Sequence, residues 1–342
     1  MSQWNKKMSR ITRNSRLLLF IILVFTTAFL WSMQQPKRAD EVPDDQQQFK
    51  IGVEVNMVTV PVTVRRPEGG FFKGLTQDSF KIFEDGVPQE IVFFTQEGMP
   101  TRLAVVLDSS GSVATEWGTI KAATKRFLEN LRPDDEFSLV TFATDIRLKM
   151  DWGHNTDRLS EVLTSVYCKG STKLWDAIWV VSNDVLKEQP GKKAMIIMSD
   201  GVDTESTVTL EEALDAAVRS EAAIYVVSKT EAVQKLNEDQ PDYLKIPQEV
   251  FVAADLTLKK FAYETGGRVL YPNSFNQLGN IYKQVDEELR NQYVLGYIST
   301  NTAKDGSYRR ISVKVNAPGA TGSARPGYYA PNELATRPGA RR

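Results

Sequence analysis

Residues 105–113 read VVLDSSGSV: a run of apolar side chains closes on Asp108, and three serines follow around a glycine. An apolar stretch that ends in small oxygen donors fits a buried strand whose carboxyl end opens into a loop. In open α/β sheets ligands sit at that edge, because loops diverge there and helix N-termini supply partial positive charge. Ser110 and Ser112 follow Asp108 at a spacing of two, so a tight loop can turn all three side chains towards one centre. A hard cation such as Mg²⁺ takes about six oxygens at roughly 2.1 Å and is served poorly by nitrogen or sulfur.

Outward from this stretch the chain alternates between strand and helix. RLAVVLD (102–108), FSLVTFA (137–143), IRLKMDW (146–152), KKAMIIMSD (192–200), AAIYVVS (222–228) and RVLYP (268–272) read as strands. Helices are predicted over 117–131, 156–166, 174–187, 210–220, 255–265 and 274–290, the fifth stopping at Gly266 and Gly267. Strands apolar on both faces and separated by helices imply a mostly parallel sheet covered on each side. The prediction is a doubly wound α/β domain over 99–290 with a six-stranded sheet.

The flanks follow a different rule. VEVNMVTVPVTVRR (53–66) alternates with period two, with a change of phase near Met57 and Val58 that suggests a bulge, and Pro61 argues for an edge position. FKIFEDGVPQEIVFFT (80–95) reads as a hairpin around Asp85 and Gly86. QYVLGYIST (292–300) and YRRISVKVN (308–316), joined through KDGS, are alternating strands again. Segments 51–98 and 291–331 are therefore expected to build one small β-sandwich in which the α/β domain is inserted; 332–342 reads as a frayed basic tail.

Lys plus Arg (42) nearly balance Asp plus Glu (43), so no overall field draws the chain to nucleic acid. One histidine and one cysteine argue against serine–histidine catalysis, an intramolecular disulfide and a thiolate zinc site. At the N-terminus Lys6, Lys7, Arg10, Arg13 and Arg16 precede an apolar stretch, Leu17 to Met33, interrupted only by Thr26, Thr27 and Ser32. Residues 1–33 read as an export signal, and the want of an A-x-A-like cleavage site favours a retained membrane anchor over a cleaved leader. Positive charge ahead of the span puts the rest outside the cytoplasm, at the periplasm or cell surface, or secreted if cleavage occurs. Polar residues 34–50 read as a flexible linker.

The pattern D-x-S-x-S is common by itself. Its company raises its value: KGSTKLWDAI (169–178) offers Thr172 in a glycine-containing loop before a helix, and IIMSDG (196–201) places Asp200 at the end of a second buried strand. Asp108, Ser110, Ser112, Thr172 and Asp200 thus come from one edge of the sheet and form a credible oxygen cage. In this ordered combination, over about residues 100–290, the chain resembles the von Willebrand factor type A domain with its metal ion-dependent adhesion site. The flanks resemble the bacterial exported subgroup in which such a domain is embedded between β segments.

The resemblance implies that Ser110, Ser112 and Thr172 coordinate Mg²⁺ or Mn²⁺ directly, while Asp108 and Asp200 act largely through water. It further implies that an Asp or Glu of a partner protein completes the coordination. The expected function is a membrane-tethered, extracytoplasmic adhesion or assembly module that is not an enzyme and binds an envelope or extracellular protein. Two rivals use the same residues: a metal-dependent hydrolase or phosphatase with Asp108 as nucleophile, and a scaffold whose cation is purely structural. A plainer reading has the serines capping a helix and the aspartates bonding backbone amides. Lys169 and Lys173 flank Thr172 and could favour an acidic partner. Asp176 is explained by a helix dipole; Asp203 and Glu205 stand near enough to Asp200 to support it through hydrogen bonds, though loop solvation is the simpler reading; Trp152, Trp175 and Trp179 could form a contact surface, though packing is the commoner role. The polar stretch 229–254 reads as an insertion that either contacts a partner or forms a disordered excursion.

Overall fold

The computed structural model describes residues 57–96, 99–230 and 246–332. The expectations for the anchor, the linker, the segment before Met57, most of the 229–254 insertion and all but the first residue of the tail lie outside them. Among the described residues no helix is long and apolar enough to cross a membrane.

The α/β part runs β5 (Thr101–Asp108), α1 (Trp117–Glu129), β6 (Glu136–Phe142), β7 (Ile146–Gly153), α2 (Leu159–Thr164), α3 (Leu174–Val180), β8 (Lys192–Ser199), α4 (Leu210–Arg219), β9 (Ala223–Ser228), α5 (Gln248–Thr265), β10 (Arg268–Leu270) and α6 (Leu278–Asn291). The strands form a six-stranded sheet in the order β10-β9-β8-β5-β6-β7, parallel except for β7, which runs against β6. Alternate residues of the central strand serve opposite faces. Leu103, Val105 and Leu107 pack under α1, α2 and α6 with Ile120, Leu163 and Val285. Ala104 and Val106 pack under α3, α4 and α5 with Ile178, Ala217 and Phe261. Burial on both faces is why these strands read as continuous apolar runs.

Two helices differ from the sequence expectation. The segment after α3 continues as a π-helical turn over Val181–Leu186. The helix expected at 255–265 begins earlier, at Gln248, and buries Phe251 and Ala254, so the last part of the supposed insertion is structural.

The flanks pair with each other across the insertion. β1 (Met57–Arg65), β2 (Phe80–Glu84), β3 (Val87–Gln89) and β4 (Ile91–Thr95) precede the α/β part. β11 (Tyr293–Ile298), β12 (Tyr308–Val315), β13 (Thr321–Ser323) and β14 (Gly327–Tyr329) follow it. They form two four-stranded sheets, β13-β1-β11-β4 and β14-β12-β2-β3. Val60 and Val62 of one and Phe80, Ile82 and Ile311 of the other share a single core with Tyr293 and Tyr297. Asp85 (φ 47°) and Gly86 (φ 84°) make the expected hairpin turn between β2 and β3. Pro61 pairs with Val294 on one side, while β13 reaches only Thr63 to Arg65 on the other. The missing N–H of Pro61 therefore faces an unpaired stretch of the strand.

Candidate functional site

The chain passes from β5 to β6 and β7 on one side and then crosses back to β8 on the other, so the order reverses between β5 and β8. Ligands of open α/β sheets occupy the crevice at such a reversal. Asp108 ends β5 and Asp200 follows β8, which puts the two carboxylates on its two walls.

Backbone hydrogen bonds stitch the loops together. Ser109 N–H donates to Phe142 O at 2.8 Å, Lys169 N–H to Ser109 O at 3.0 Å, and Gly111 N–H to Gly170 O at 3.3 Å. The third loop joins through Thr204 N–H to Thr172 O at 2.9 Å. Gly170 is required here: its φ is +84°, and a Cβ would lie 2.2 Å from Thr144 Oγ1.

Asp108 is fully buried and Ser110 and Asp200 are nearly so. Asp108 Oδ1 accepts from Ser110 N–H at 2.8 Å, and Asp200 Oδ1 from Val202 N–H at 3.2 Å. Ser110 Oγ and Ser112 Oγ share a hydrogen bond of 3.0 Å, and Ser110 makes no side-chain helix cap. The remaining oxygens meet a residue absent from the sequence-based set. Lys229 Nζ donates to Asp108 Oδ2 at 2.8 Å and Ser112 Oγ at 3.0 Å, and lies 3.7 Å from Asp200 Oδ2. Thus Asp108, Ser112 and Asp200 come together around an ammonium, and Ser110 joins them through the Ser112 hydroxyl. Thr172 is stitched to Thr204, whose Oγ1 accepts from Thr172 N–H at 2.9 Å.

Burial opposes the charge of Lys229, but Asp108 and Asp200 overcome it and hold the ammonium above the ordinary lysine range. Burial raises the Asp200 carboxyl, with Lys229 pulling it back and Asp108 pushing it further. Cys168 is pushed up to about 11, first by burial and then by the charge of Asp108, so its thiol keeps its proton at neutral pH.

The donor set suits a hard dication. Two carboxylates and two hydroxyls converge, and the centre already accommodates a positive charge. Among the described residues no three His, Cys, Asp or Glu side chains gather to hold a metal, so hydroxyls would have to contribute.

Around the rim, Lys169 lines a cleft of about 200 Å³ with Arg147, Lys149 and Tyr167, and Tyr167 is 82% exposed. Lys173 instead lies 3.7 Å from Asp176. The helix-dipole account of Asp176 is incomplete, because its Oδ1 accepts from the N–H groups of Thr207 (2.8 Å) and Val208 (2.9 Å). Asp203 is likewise more than a solvated loop residue: its Oδ1 accepts from Leu174 N–H at 2.7 Å and Ser206 Oγ at 2.6 Å, capping α3. Glu205 Oε2 accepts from Ser171 Oγ. Trp175 stacks on Phe261 and Trp152 donates to Val185 O, in keeping with packing roles.

Residues 103–284 match the family model described as von Willebrand factor type A domain. The chain belongs to the von Willebrand factor type A domain family. The comparison with curated proteins produced no match. Among solved structures, a von Willebrand factor type A protein from Catenulispora acidiphila is 12% identical, with a TM-score of 0.46 and 78% of each chain covered. BatB from Bacteroides thetaiotaomicron is 15% identical, with a TM-score of 0.42, covering 56% of this chain and 99% of its own. The type A domain of the type V pili tip protein Mfa5 from Porphyromonas gingivalis is 13% identical, with a TM-score of 0.42, covering 55% of this chain and 95% of its own.

Proposed function

We propose that this chain is a protein-binding module for adhesion or assembly, which engages an acidic side chain of another protein at the carboxyl edge of its six-stranded sheet. Asp108, Ser110, Ser112, Thr172 and Asp200 would hold Mg²⁺ or Mn²⁺ there. When bound, the cation supplies a coordination position to the partner's carboxylate. The observation that carries this reading is the convergence of Asp108, Ser112 and Asp200 oxygens on one positive charge. Neutral serine hydroxyls leave a cation electron-poor, which favours an incoming acid. Lys169 and Lys149 beside the exposed Tyr167 favour the same kind of partner by charge, Arg147 being paired with Asp145. The buried Asp108 carboxylate, engaged on both oxygens, weighs against its use as a hydrolytic nucleophile. The basic and apolar N-terminus supports a membrane tether with the folded part outside the cytoplasm.

The full-length chain, kept in solution with detergent, is expected to gain about 2.7 kcal/mol of stability at a hundredfold excess of Mg²⁺ over its dissociation constant. Asp108→Ala and Thr172→Ala remove that gain. Crosslinking on intact cells should capture an envelope or extracellular protein and lose it with chelator. A chain whose melting ignores both metals contradicts the metal reading; phosphoester turnover that disappears in Asp108→Asn favours the hydrolase instead.

A further inference from the structure

Lys229 follows Ser228, the last residue of β9, and its side chain is only 2% exposed. Its main chain is held at the crevice, where Lys229 N–H donates to Ser199 O at 3.0 Å, and the hydroxyl of the next residue, Thr230, donates to Asp200 O at 3.2 Å.

We propose that Lys229 is a tethered competitor for the divalent cation, holding the oxygens that the metal needs and so setting its affinity. The inference rests on the metal reading above. An ammonium and a hydrated dication compete for the same two oxygens, Asp108 Oδ2 and Ser112 Oγ, where Lys229 Nζ stands at 2.8 and 3.0 Å. Two cations gathered on the same pair of buried oxygens would repel each other strongly, so one excludes the other. The charge count gives the metal a route in. One ammonium faces the two carboxylates of Asp108 and Asp200, leaving one negative charge unbalanced, whereas a dication balances both. Lys229 thus acts as a threshold: the acidic crevice stays cross-linked by its own lysine until divalent cation is abundant enough to displace it.

Calorimetric titration of Mg²⁺ into the full-length chain and its Lys229→Met variant in detergent tests this. The variant is expected to bind at least tenfold more tightly. Equal or weaker binding by the variant, with the wild type still binding, overturns this inference and leaves the proposed function standing. No binding by either protein overturns both. Because loss of a buried charge partner destabilises a fold, Lys229→Gln, neutral and able to donate to Ser112 Oγ, is titrated in parallel, with circular dichroism reporting folding. Variants that fold only on addition of Mg²⁺ support the inference, since the dication then replaces the ammonium. Variants that stay unfolded in Mg²⁺ count against it.

Discussion

Lys192 shows how one buried charge makes stability depend on pH. It opens β8, is only 5% exposed, and donates its ammonium to Leu289 O. Burial pushes its pKa down to about 8, although Asp135 partly holds it up. Unfolded, the same lysine keeps its proton to about 10.4. Between those values the unfolded chain binds more protons than the folded one, so this residue's contribution to stability rises with pH over that window. The rise is about 3 kcal/mol for this group. In urea unfolding at a series of pH values, wild type should gain on Lys192→Met by that order between pH 8 and 10.5. A difference that stays flat would show that the lysine is not held in this way.

At the scale of elements, the site depends on how short helices begin. α3 starts immediately after the Thr172 loop, and Lys173 at its N-cap makes no side-chain cap. The orphan N–H of Leu174 is taken by Asp203, from the loop after β8. A loop that caps another loop's helix ties Thr172 to the Asp200 segment. Asp203→Ala is expected to cost about 1–2 kcal/mol, measured by denaturant unfolding. It should also loosen amide protection at Leu174 and Trp175 in hydrogen exchange. A change confined to Ser206 would mean that the cap is not what holds α3. By contrast α4 carries its own capping box, Thr209 with Glu212, and needs no help from another loop. That box is local and readable in sequence, whereas the Asp203 cap spans 29 positions.

For the whole molecule, the central question is how an inserted domain and its host remain one unit. Glu288 of α6, 3% exposed, accepts from Arg65 of β1 at 2.5 Å and from Arg268 of β10 at 2.6 Å, and from Thr63 Oγ1 at 3.2 Å. One carboxylate therefore joins a helix of the insertion, its edge strand and the sandwich. Gln292 Nε2 adds donations to Thr63 Oγ1 and to Tyr225 OH, at 3.2 and 3.1 Å. Arg65 and Arg268 are each about a third exposed, so removing the carboxylate costs less than breaking a fully buried pair, about 1–3 kcal/mol. Glu288→Ala should lower stability by that order and split a single calorimetric transition into two, as sandwich and insertion uncouple. One unbroken, equally sharp transition would show that the apolar contacts alone couple them.

The chain alone carries the architecture, because periodicity is a local property: apolar runs between amphipathic helices mark a covered parallel sheet, and period-two flanks mark the sandwich. It also carries most of the acidic crevice, since D-x-S-x-S and the aspartate at 200 both end apolar strands. The occupant of that crevice could not be read in this way. Lys229 looks like the first polar residue of a solvated insertion, and only folding brings it within 3.0 Å of a serine 117 positions away. The capping of α3 by Asp203 and the arginine partners of Glu288 escaped for the same reason. Pairing of charges and capping of helix ends are settled by distance in space, which the order of residues along a strand or helix does not encode.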